Sequence, residues 1–129
     1  MPFDNTTVEI ANKAEIAILD EMARLLARPE DWTKNRLQEV TEGGISRCLY
    51  GALFQAEHGT SSPTKNRGFG RVGLFATEAG LAVESAMNSL VPESRGAFPI
   101  ADYNNHSTTT HNDILTLIAR AKDTFQQGG

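Results

Sequence analysis

Cysteine occurs once in the 129 residues, at Cys48, which excludes an internal disulfide and a zinc site built on several cysteines. A lone thiol fits a reducing compartment, so the cytoplasm is the expected location. No apolar run approaches the length of a membrane span, and the opening MPFDNTTVEI lacks the basic start and unbroken apolar core of a signal peptide. Neither a membrane nor export is expected. A strong positive balance is missing too: the net charge is -4, whereas nucleic-acid binding normally shows a dominant basic face. Period-2 alternation, the mark of a half-buried strand, competes nowhere with helical spacing.

What remains is a chain long enough to bury roughly two-thirds of its unfolded surface without a metal or a disulfide. It reads as a single helical domain over residues 1–129, with 1–5 and 127–129 as frayed ends. The expected fold class is all-α: an irregular four- to five-helix bundle with two long loops.

The first helix is expected from Thr6, where Glu9 completes a capping box, to about Ala27, with Pro29 ending it. Its inward arc is Ala11, Ile18, Leu19, Met22, Leu25 and Leu26. Glu15 projects into that arc and is expected to stay wet near its exposed start. Trp32 lies in the polar run DWTKNRLQEV, expected as a short turn of helix before Gly43 and Gly44, with the indole folding back over the core. The second helix, Ile45 to about Glu57, is apolar on two sides, through Leu49 and Leu53 on one and Tyr50 and Phe54 on the other. That pattern places it centrally.

The run HGTSSPTKNRGFGRVG, 58–73, is a long loop rich in Gly, Ser and Thr that holds Lys65, Arg67 and Arg71 and no acid. Such a loop either cradles an anion or is merely solvated. The third helix is expected over about Leu74 to Leu90, facing inward through Phe75, Ala79, Val83, Ala86 and Leu90 and closed by Pro92. An irregular stretch, 92–109, leads to a last helix from His111 to about Gln126. Ile114, Leu117, Ile118, Ala121 and Phe125 form its stripe, and Thr110 with Asp113 supplies a capping box. A minor hairpin near Phe69 or Phe98 is the one strand-bearing alternative.

Cys48 falls at the edge of the buried face of the second helix. An inert packed thiol is the favoured reading. The alternative is a nucleophile with His111 as base and Asn104, Asn105 or Asp113 as orienting group. His111 opens the last helix on its core-facing side and either anchors the preceding loop or serves as a ligand or base. Asp102, His106, His111 and Asp113 match no known metal spacing, so no metal or other cofactor is expected.

Taken in order, Trp32-Thr33, Arg47-Cys48-Leu49-Tyr50-Gly51-Ala52-Leu53, Tyr103-Asn104-Asn105 and Thr110-His111-Asn112-Asp113-Ile114-Leu115 resemble a bacterial family known only as a domain of unknown function. Two departures stand out: Arg47 replaces the family's usual tryptophan, and Asn105 its usual aspartate, which weakens any case for a general base there. The resemblance implies a cluster of Trp32, Cys48, Asn104, Asn105, Thr110 and His111 and brings no activity with it. Three functions are open. The preferred one is a binding or interaction module for a small anionic ligand or a protein partner. The others are a Cys-His hydrolase or transferase, and a structural subunit assembling as a homodimer or larger oligomer through the Tyr50 and Phe54 face.

Overall fold

The computed structural model describes residues 2–36, 38–58, 77–91 and 99–127, with the helical backbone alone for 2–11, 58 and 127. Within these residues the order is α1 (Pro2–Leu25), a 3-10 turn (Pro29–Asp31), β1 (Gln38–Thr41), β2 (Gly44–Arg47), α2 (Leu49–His58), α3 (Glu78–Leu90), α4 (Pro99–Asn105) and α5 (His111–Gln127).

Helix dominates, but the fold is not purely all-α. The segment expected to form a turn of helix, together with the expected first turn of the second helix, is an antiparallel hairpin. Gln38 pairs with Arg47, Glu39 with Ser46, Val40 with Ile45 and Thr41 with Gly44. Ile45 therefore belongs to a strand, and α2 starts four residues later than its apolar pattern suggests. The physical reason is the two-residue connection Glu42-Gly43 followed by Gly44 at φ 131, a backbone angle that side-chain-bearing residues avoid. The expected hairpin sites at Phe69 and Phe98 lie outside the described residues.

Helix α1 begins at Pro2, upstream of Thr6, so the expected capping box falls inside the helix. Proline suits a first helical position because its missing N–H is not needed there. The helix ends at Leu25 rather than Ala27, and Pro29 opens the 3-10 turn instead of closing the helix. Ile18, Leu19, Met22 and Leu26 are buried as their spacing requires. Glu15 departs from expectation: it is half-buried, and its Oε1 is buried with no hydrogen-bond partner.

Helix α2 is buried on all sides from Leu49 to Phe54, as a central helix must be. Tyr50 and Phe54 are 2% and 1% exposed, so the face expected to join a second subunit is spent inside the chain. At its far end, Glu57 accepts from both the N–H and the hydroxyl of Thr77, at 3.0 and 2.6 Å. Thr77 in turn caps α3 by accepting from Gly80 N at 2.9 Å. Helix α3 buries Val83 and Met87; residues 59–76, Phe75 among them, and Pro92 lie outside the described residues.

The expected irregular stretch before the last helix contains α4, seven residues long and too short to show a period. Its Ile100 and Ala101 join the core. Helix α5 buries Ile114, Leu117, Ile118 and Ala121. Asn12 Nδ2 donates to Phe125 O at 2.7 Å and ties the middle of α1 to the C-terminal end of α5. No described helix is long and apolar enough to cross a membrane.

Candidate functional site

The ordered motifs meet at the N-terminus of α2, around Asn104. This side chain is 1% exposed, so each of its polar atoms needs a partner within the protein. All find one. Asn104 Oδ1 accepts from Trp32 Nε1 at 2.7 Å and from Leu49 N at 3.2 Å. Its Nδ2 donates to Thr33 O at 3.1 Å and to Asn105 Oδ1 at 3.0 Å.

Leu49 is the first residue of α2, where backbone N–H groups have no partner inside the helix. Asn104 satisfies one of them from another helix. Cys48 satisfies a second: it stands just before the helix, and its Sγ accepts from Gly51 N at 3.4 Å. The thiol thus performs the service usually given by a serine or asparagine oxygen. Helix-start amides favour a thiolate, but burial opposes it more strongly and pushes the Cys48 thiol up to about 11. At neutral pH this sulfur is protonated and a poor nucleophile.

The chain around Trp32 is fastened on several sides. Thr33 N donates to Arg47 O at 3.0 Å, placing Trp32 beside β2, and Ser46 Oγ donates to Glu30 O at 2.8 Å. Lys34 Nζ lies 5.3 Å from the Trp32 ring centre and donates to His106 O at 2.6 Å. Asn35, at φ 67, turns the chain so that its N–H meets Asn105 Oδ1 at 2.6 Å. Asparagine tolerates this left-handed geometry better than most side chains.

His111 lies beside this cluster, its ring centre 6.3 Å from that of Trp32. Its Nε2 is 2.7 Å from Leu26 O, and because a carbonyl only accepts, Nε2 carries the hydrogen. The ring therefore anchors the start of α5 to the end of α1. No hydrogen bond joins His111 to Cys48 among the described residues. Thr110 and Asp113 form the expected capping box, at 2.9 and 3.2 Å. Asp31 is held below the usual carboxylate range by the hydrogen-bonded Arg28 guanidinium. No group of three or more described His, Cys, Asp or Glu residues is placed to hold a metal ion.

Trp32, Cys48, Asn104 and Asn105 are thus one cluster, with His111 at its edge and Thr110 serving α5 alone. Lys65, Arg67 and Arg71 lie outside the described residues. Lys34 and Asn35 were missed by sequence reasoning, although a Lys-Asn pair directly after the Trp-Thr motif was a usable signal.

A family model described as a family of unknown function, DUF6197, matches residues 11–124. The chain belongs to this family. The match takes in the Trp32, Cys48, Asn104 and His111 positions, so the DUF6197 region includes the whole cluster. No curated protein and no solved structure matches the chain.

Proposed function

We propose that this DUF6197 chain is a small helical binding or interaction module without catalytic activity, and that its ligand is a small anion. One observation carries the reading: the polar groups of the motif cluster are spent on holding the protein together. Asn104 uses its amide in four internal hydrogen bonds, Cys48 caps α2 as a neutral thiol, and His111 Nε2 is committed to Leu26. A cysteine hydrolase needs a thiolate with a base in reach, and these residues supply neither. A binding module needs only a rigid frame, and the cluster supplies one for the hairpin. At the hairpin's outer end the cross-strand pair Val40 and Ile45 is 75% and 36% exposed.

The anionic character of the ligand is inferred from Lys65, Arg67 and Arg71, which bring positive charge without an acid over 58–73. A cytoplasmic setting belongs to the same proposal, supported by the single free cysteine. Calorimetric titration of the full chain with inorganic phosphate is the test, repeated on a variant with Lys65, Arg67 and Arg71 all changed to Gln. Binding that weakens in the variant supports the module. Rapid alkylation of native Cys48 by iodoacetamide, as fast as in the unfolded chain, overturns the non-catalytic reading.

A further inference from the structure

Arg47 ends β2 with a side chain folded inward, and the residue is 8% exposed. Its guanidinium is poorly served. One terminal nitrogen reaches Gln55 Oε1 at 3.5 Å, the outer limit of a hydrogen bond, and Nε is buried with no partner.

A buried cation normally faces a carboxylate, and even exposed arginines of this chain do. Arg24 is paired with Glu21, Arg28 with Asp31 at 2.9 Å, and Arg36 with Glu39 at 3.7 Å. Among the described residues no carboxylate lies within ion-pair distance of Arg47. Glu21 and Asp31 are near enough to be felt electrostatically, but both are engaged by Arg24 and Arg28, and Arg24 adds a like charge of its own. Burial, and next to it Arg24, lower the pKa of the Arg47 guanidinium. An arginine nevertheless stays charged in a protein, so it cannot escape by releasing its proton.

Directly across the ladder stands Gln38, whose Oε1 is also buried without a partner. Opposed residues of an antiparallel pair send their side chains to one face, so Arg47 and Gln38 share a face at the base of the hairpin, yet their orphaned groups do not satisfy each other. A water molecule could bridge them but would leave the positive charge unanswered. An anion answers the charge, and the Gln38 amide, turned half a rotation, would offer its N–H to the same anion.

We propose that Arg47 anchors a small-oxyanion site at the base of the hairpin, taking a carboxylate or a phosphate group with Gln38 as second donor. The proposal rests on the binding-module reading and gives the ligand its anchor. Guanidinium N–H groups and a planar amide match the geometry of either oxyanion.

The test is thermal unfolding of the full chain in rising sodium phosphate or sodium acetate, against sodium chloride at matched ionic strength. The unfolding midpoint is expected to climb by roughly 5 °C per tenfold rise in one of the two oxyanions above its Kd, and not in chloride. Which salt acts identifies the group as phosphate or carboxylate. Gln38→Glu places a carboxylate opposite Arg47, so it is expected to raise the midpoint in chloride and abolish the oxyanion response. Arg47→Met is expected to abolish the response as well. A response retained at full size in the folded Gln38→Glu protein overturns the anchor. If that retained response instead vanishes when Lys65, Arg67 and Arg71 are neutralised, the module reading survives without Arg47. No response in the wild-type chain overturns both.

Discussion

Trp32 and Asn104 are joined by a 2.7 Å hydrogen bond from the indole N–H to the amide oxygen, between a loop after α1 and the buried face of α4. The same oxygen holds the first amide of α2, so one side chain sets the position of three segments.

Asn104→Ala strands both of these donors in a buried place. Leaving a buried donor unsatisfied costs about 1–3 kcal/mol, so a loss of roughly 3 kcal/mol or more is expected in urea unfolding. Asn104→Asp keeps the acceptor but cannot donate to Thr33 O, and it should also destabilise. A loss below roughly 1 kcal/mol for the alanine variant contradicts the role given to this residue.

Cys48 makes stability depend on pH in the alkaline range. Its folded pKa, about 11, stands above the ordinary value of 9.0, so folded and unfolded chains hold the proton equally well below pH 9.0. As pH rises from 9.0 toward 11 the unfolded chain releases it first, and about 2–3 kcal/mol of stability is lost. Cys48→Ala should remove that fall, which comparison of the two unfolding profiles over this range will show. An identical fall in both proteins sinks the assignment.

Asn35 occupies a left-handed backbone position at φ 67 while its own N–H serves Asn105. Substituting a β-branched residue costs more there than in ordinary backbone, because the branched carbon crowds the chain. Asn35→Gly is expected to stay within about 0.5 kcal/mol of the parent, and Asn35→Val to lose about 1–2 kcal/mol. Equal stabilities for the two variants in chemical unfolding count against strain at this turn.

Glu15 holds one carboxylate oxygen buried without a partner, on the helix face that carries the buried Ile18, Leu19 and Met22. Replacing a poorly served buried polar group by an apolar one of similar size is often stabilising. Glu15→Met should therefore raise stability by about 1 kcal/mol, seen as a higher thermal midpoint. A lower midpoint shows that the carboxylate is doing something useful.

Much of the architecture was legible where spacing and end signals agreed. The stripe from Ile114 to Ala121 and the Thr110 and Asp113 box placed α5 to within one residue, because an amphipathic helix repeats its signal over several turns. The hairpin was not legible in the same way. Each strand has four residues, and Ile45 fits a helical apolar stripe as readily as a strand facing Val40. The usable cue was a two-residue, glycine-containing connection between Val40-Thr41 and Gly44-Ile45. Part of the motif cluster could be named from its ordered residues, but its purpose could not. Spacing says nothing about the 2.7 Å that turns Asn104 and Trp32 into a joint.

That joint closes a span of 72 residues in sequence, and closures of this length form only once the intervening chain has been drawn together. The base of the hairpin, the first turn of α2 and the end of α4 should accordingly assemble late and open as one cooperative unit. In native-state hydrogen exchange, the Trp32 indole proton and the Leu49 amide proton should then share a single opening free energy, although nearly two helical turns' worth of residues and a hairpin separate them along the chain.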